Sequence, residues 1–104
     1  MKLLTKEIEK KLLAHPFGST DGKGDDAKVI VKFFGGAAAT WLVTEGEKEG
    51  DDWLFFGKVT LDGSYWEWGY FLLSDLSSVK FPPFGLGVER DLYFSGTVRE
   101  GVRW

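Results

Sequence analysis

Two aromatic runs, Asp52 to Leu61 (DWLFFGKVTL) and Tyr65 to Leu72 (YWEWGYFL), flank an Asp62-Gly63 pair and constrain this chain more than any other feature. Side chains alternate across a strand, so the first run puts Trp53, Phe55 and Val59 on one face and Leu54 and Phe56 on the other. The second run alternates Trp66, Trp68 and Tyr70 with Tyr65, Glu67 and Phe71. Asp-Gly is a strong signal for a tight hairpin turn, so the two runs are expected to pair antiparallel. A sheet with one solvated face separates apolar from polar residues more cleanly than this. Both faces therefore need cover, from the rest of the chain or from a partner.

The rest of the chain supplies some of it. Thr5 precedes an amphipathic stretch in which Leu4, Ile8 and Leu12 recur at helical spacing, ended by Pro16 and Gly18. Its apolar stripe is narrow and needs a larger surface to dock on, which is the following sheet. After a turn-rich loop from Gly18 to Asp26, Ala27 to Phe34 reads as a strand with Val29, Val31 and Phe33 on one face. Gly35-Gly36 turns it into a second strand, Ala38 to Glu45, where Trp41 and Val43 oppose Thr40, Leu42 and Thr44. Gly46 to Asp51 is read as an acidic connector. Ser74-Asp75-Leu76 reads as an N-cap with one helical turn, and Phe81-Pro-Pro-Phe-Gly85 is excluded from a central strand because proline removes ladder donors. A last strand is placed at Arg90 to Phe94. The expected fold is α+β and mainly β: a twisted antiparallel meander, or a partly closed small barrel, of about five strands with one N-terminal helix packed on it.

A length of 104 residues predicts a single small domain spanning 1–104. Absence of cysteine excludes disulfides, thiolate metal sites and a cysteine nucleophile, and suits a reducing, cytoplasmic setting. A formal net charge of -3 argues against a general nucleic-acid binder. Lys6, Glu7, Glu9, Lys10 and Lys11 break the apolar start at once, so no export signal is expected, and no apolar run reaches membrane-spanning length.

Few residues suggest catalysis. The acidic series Glu45, Glu47, Glu49, Asp51 and Asp52 could offer oxygens to a hard cation, but its spacing fits no known loop; it suits a contact to a basic partner better. Asp21 to Asp26 (DGKGDD) fails the calcium and phosphate-loop templates and reads as a plain loop. His15, at a helix end, reads as a cap. Glu67 lies between Trp66 and Trp68, where apolar surroundings would raise a carboxyl pKa. Glu89-Arg90-Asp91 reads as a cross-strand bridge, and the tail, with Arg99, Arg103 and Trp104, carries residue types found in binding hot spots. Neither a metal nor a cofactor is expected, and no catalytic residue is assigned.

Thr44-Glu45, Asp52 to Val59 (DWLFFGKV), Trp68 to Leu76 (WGYFLLSDL) and Gly85 to Phe94 (GLGVERDLYF), after an N-terminal Leu-Thr helix, resemble domain-of-unknown-function family 2958 over nearly the whole chain. The resemblance implies a compact, mainly β domain of the kind carried by plasmids, conjugative elements and phages. It assigns no catalytic or ligand-binding residue. The function expected is that of a non-catalytic accessory protein that binds a protein partner, such as a basic or nucleic-acid-binding surface of a host complex. Inhibition of a CRISPR or restriction defence complex is one such role. The alternatives are a single-stranded nucleic-acid binder that stacks bases on exposed aromatics, and a small enzyme using Glu67 or the acidic loop. No membrane partner is expected. The residues assigned to the partner face are Trp41, Glu45, Glu47, Glu49, Asp51, Asp52, Trp53, Trp66, Glu67 and Trp68.

Overall fold

Thr5 begins the first element by capping it. In the computed structural model of the protein, which describes residues 2–103, Thr5 Oγ1 accepts the Ile8 N–H at 3.2 Å and opens helix α1 (Lys6–Leu13). Leu4 and Leu12 are buried and Ile8 packs beside them. Four strands follow: β1 (Val31–Gly35), β2 (Ala39–Glu49), β3 (Asp52–Thr60) and β4 (Glu67–Leu72). Each pairs antiparallel with the next. Helix α2 (Leu73–Ser78) leads to a small separate hairpin, β5 (Lys80–Phe81) with β6 (Leu86–Gly87), and Pro82 to Gly85 form its loop. Strand β7 (Glu89–Arg90) then pairs with β1, and helix α3 (Val98–Arg103) closes the described chain. The sheet order is β4-β3-β2-β1-β7, open, with β4 and β7 at its edges.

The mainly β antiparallel fold with a docked N-terminal helix is as expected, while three local readings are corrected. First, β2 continues to Glu49, so Glu45, Glu47 and Glu49 lie on a strand; the turn is Gly50-Asp51, where Gly50 has φ +59°. Second, Asp62-Gly63 is not a tight hairpin. Residues 61–66 form a longer loop, because Asp62 Oδ1 accepts the N–H groups of Ser64 (2.8 Å) and Tyr65 (2.9 Å) that a ladder would otherwise take. Third, the final strand covers only Glu89 and Arg90 and lies beside β1, since Asp91 ends it by accepting the N–H groups of Tyr93 and Phe94. The tail, to which the sequence reading assigns no element, is helical through Arg103: Thr97 and Glu100 form a reciprocal capping box, with Thr97 N–H donating to Glu100 at 2.9 Å and Glu100 N–H to Thr97 Oγ1 at 3.4 Å. Trp104 lies outside the described residues.

The two sheet faces are buried by different means. One carries Val31, Phe33, Trp41, Val43, Trp53 and Phe55 beneath Leu3, Leu4, Leu12, Leu76 and Val88. On the other, Leu42 packs with Ala27, Val29 and Val98, flanked by Trp66, Phe94 and Val102. Among the described residues no helix is long and apolar enough to cross a membrane.

Because Leu12 is fully buried at the contact between α1 and the sheet, Leu12→Ala is expected to lower stability by about 2–5 kcal/mol, the cost of a core truncation with its cavity. Thermal unfolding measures this, and a melting curve like that of the parent would show that the helix contributes nothing to the fold.

Candidate functional site

A bulge in β2 shapes the second face. Val43 pairs with Gly57 but Glu45 pairs with Phe56, so Thr44 is an extra residue. Plain alternation would place Glu45 with Trp41 and Val43; the insertion turns it to the face of Phe56 instead. The strands approach closely here, and a Cβ on Gly57 would overlap the Leu42 carbonyl. Glu45 ends up buried (4% exposed) under the loop that follows α1. Its carboxylate accepts the N–H groups of Gly18 at 3.0 Å and Thr20 at 2.8 Å, and the Thr20 hydroxyl. Glu47 takes the Phe17 N–H at 3.0 Å.

That loop acts as a strap along one side of the face. Phe17 meets the ring of Tyr70 edge-on, with centroids 5.4 Å apart, and Asp25 pairs with Lys58 at 3.0 Å. Asp26 pairs with Arg99 at 3.2 Å, tying the strap to α3. Beyond the strap, the outer surface of β3 and β4 is partly open, with Leu54, Phe56 and Lys58 half-buried and Trp68 and Tyr70 exposed. Register places Leu54, Phe56 and Lys58 beside Leu72, Tyr70 and Trp68. Phe56 stacks on Trp68 (5.6 Å, 18° between planes) and contacts Tyr70 (5.0 Å). Trp68 is 39% exposed and Tyr70 63%, a contiguous aromatic ladder open to solvent. Lys58 Nζ lies 5.7 Å from the Trp68 ring centre. By the β2–β3 register, Glu47 and Glu49 border the Leu54 end, and exposed Asp51 follows them in the turn.

The expected partner-face residues are thus dispersed. Trp41 (6% exposed) and Trp53 (3%) belong to the core, where Trp53 Nε1 donates to Glu9 at 3.3 Å; their area is spent on packing. Glu45 is a buried clasp. Asp52 serves the fold by accepting the Trp53 N–H (2.8 Å) and both the N–H (3.1 Å) and hydroxyl (2.5 Å) of Ser74 at the start of α2. Trp66 is half-buried against the Leu42 cluster. Glu67 is exposed rather than enclosed by tryptophans, points to the Val59 side and accepts the Tyr65 hydroxyl at 3.3 Å. It borders a depression of about 390 Å³ with Trp41, Val59, Leu61 and Asp62. Trp68, Glu47, Glu49 and Asp51 remain at the exposed face. Phe17, Phe56, Lys58 and Tyr70 join them, and were not singled out from sequence.

Other polar groups have structural partners. His15 Nδ1–H donates to the Lys11 carbonyl at 2.9 Å, capping the helix end, and Lys32 of β1 pairs at 3.2 Å with Asp91, the residue after β7. Among the described residues, no cluster of three or more His, Asp or Glu side chains is arranged to hold a metal ion.

The profile of a family described as "Protein of unknown function (DUF2958)" matches residues 3–102. The chain belongs to that family. The match spans every element described above, from Leu3 and Leu4 beside α1 to α3, so the family's domain includes both the strap and the aromatic ladder. No curated protein and no solved structure matches the chain.

Burial pushes the Glu45 carboxyl up, but hydrogen bonds from the Thr20 hydroxyl and the Gly18 and Thr20 amides, with the nearby His15, outweigh it and hold the group below its ordinary 4.5. The unfolded chain therefore takes up this proton first as pH falls. The stabilisation is complete above about 4.5 and is lost as pH drops through the lower folded value. Asp91 behaves alike from 3.8: burial raises it, while the Tyr93 and Phe94 amides and Lys32 lower it further. Denaturant titrations across this acid range should show stability declining for the parent protein and a flatter pH profile for Glu45→Gln. Parallel profiles would mean that the clasp does not distinguish folded from unfolded chain.

Proposed function

We propose that the protein is a non-catalytic binder that docks a basic protein surface onto the β3–β4 aromatic face. The observation that carries this reading is the ladder of Phe56, Trp68 and Tyr70, partly open to solvent and bordered by Glu47, Glu49 and Asp51. Aromatic anchors within a charged rim are the usual anatomy of a protein-binding patch. The family resemblance implies carriage by phages, plasmids and conjugative elements, and in that setting the partner proposed is a nucleic-acid-handling complex of the host, with CRISPR or restriction effectors the leading class. An acidic protein of this size competes there for a surface built to hold phosphates. Stacked rings would also suit nucleobases, but Lys58 is already paired with Asp25 and the rim repels a phosphate backbone, so single-stranded nucleic acid is the weaker fit.

Affinity capture from host lysate, followed by binding kinetics on the purified partner, tests this. The double variant Glu49→Lys/Asp51→Lys spares the structural Asp52; it should slow association and weaken its salt dependence, whereas Trp68→Ala should mainly speed dissociation. Variants that fold normally and bind like the parent would rule this face out. A salt-sensitive gel shift of single-stranded DNA that strengthens on charge reversal would favour the nucleic-acid reading instead.

A further inference from the structure

Strand β4 is an edge, and apart from the charge of Glu67 at its first position it lacks the devices that usually keep edges from pairing. Its sequence, Glu67 to Leu72 (EWGYFL), contains neither lysine nor proline, and its register with β3 runs without a bulge. The opposite edge, β7, is protected by shortness, being only two residues long.

The ladder also fixes which β4 groups face outward. Asp91 N–H donates to the Lys32 carbonyl at 2.9 Å, so Lys32 bonds toward β7 and its neighbour Phe33 bonds toward Trp41 on β2. Alternation then directs Leu42 to Lys58 on β3, and Gly57 to Gly69 on β4. The backbone N–H and C=O groups of Trp68 and Tyr70 are left pointing away from the sheet. Their side chains are the two β4 rings of the exposed ladder. Gly69, between them, leaves open space on the opposite face, where a Cβ would meet no atom within 4 Å.

Building on the aromatic-face reading, we propose that the partner contributes an extended, basic segment that adds to β4 as a further strand. Main-chain bonds to Trp68 and Tyr70 would hold it, while alternate side chains cross the rings of the same two residues. Charge selects the occupant. Asp62 and Glu67 stand at the start of β4, and Asp75, Glu49 and Asp51 lie exposed near its end. The Trp68 ring already receives one cation from Lys58, and the Tyr70 ring is more exposed still. A second copy of this chain pairing antiparallel through β4 would bring the acidic start of one strand against the acidic end of the other. Self-pairing is therefore disfavoured.

The test uses a capped peptide of about ten residues with lysine and valine alternating, long enough to span β4, added to isotopically labelled protein. Amide resonances of Trp68 and Tyr70 should shift and their hydrogen exchange should slow. Methylating the peptide nitrogens of every second residue, in one of the two possible phases, should weaken binding about tenfold or more while keeping every side chain. Tyr70→Pro should lose binding beyond the loss in Tyr70→Ala. If both methylated peptides bind like the parent but Trp68→Ala binds poorly, strand addition is wrong and the aromatic-face reading stands. Equal binding of a glutamate–valine peptide, or no binding of the lysine–valine peptide, would overturn the basic-strand inference. So would a concentration-dependent dimer abolished by Tyr70→Pro, which would assign the edge to a second copy.

Discussion

The buried carboxylate of Glu45 is the contact on which the remaining arrangement depends. It exists where it does because Thr44 is an extra residue in β2, and it is tolerable there because Gly18 and Thr20 meet it with hydrogen bonds. A buried charge without such donors would cost several kcal/mol or would neutralise itself (roughly, by the usual desolvation penalty). Here the donors come from the loop after α1, so satisfying one carboxylate also fixes the loop. The fixed loop then carries Phe17 to Tyr70 and Asp25 to Lys58, and this sets where the covered part of the second face stops.

The consequence is a sheet buried unequally. Helices α1 and α2 with the Leu3–Leu4 segment complete one face, and residues 27–29 with α3 cover Leu42 on the other. Trp68 and Tyr70 are left partly open: Phe17 of the strap meets only the edge of Tyr70, and the two rings remain 39% and 63% exposed. Those rings sit on the edge strand, and their own N–H and C=O groups point outward with no strand beyond them, so apolar area and hydrogen-bonding capacity coincide at one place. Coincidence of the two is what separates this patch from the exposed residues Phe84, Leu86, Leu92 and Tyr93, which lie on the small hairpin and the loop after β7.

Much of the fold was legible in the sequence, because period and capping act locally. The Thr5 cap, the Leu4-Ile8-Leu12 stripe, the Gly35-Gly36 hairpin and the double-faced apolar character of β3 and β4 all follow from residue spacing. The errors lie where one side chain overrides the pattern. Asp62 satisfies its own loop and so lengthens it; Asp91 ends β7; the Thr44 bulge moves Glu45 to the other face. The α3 helix was signalled by Thr97-Val-Arg-Glu100, a capping box that the sequence displays openly. The site was only half legible. Alternation places Phe56 apart from the core tryptophans, but which β4 ring lies beside it depends on register, and the long 61–66 loop moves that register away from a tight-turn expectation. Burial of Trp41 and Trp53 depends on the tertiary packing of the first core cluster, which no local pattern reveals.

Hydrogen-exchange footprinting of the complex with its captured partner decides whether the β4 edge and its rings are the docking surface, since it reports on backbone pairing and on surface burial together. Exchange should slow in Glu67–Leu72, most at Trp68 and Tyr70, with smaller effects in β3 and the Phe17–Asp25 strap. Protection confined to the Pro82–Tyr93 region, with β4 exchanging as in the free protein, would contradict that placement.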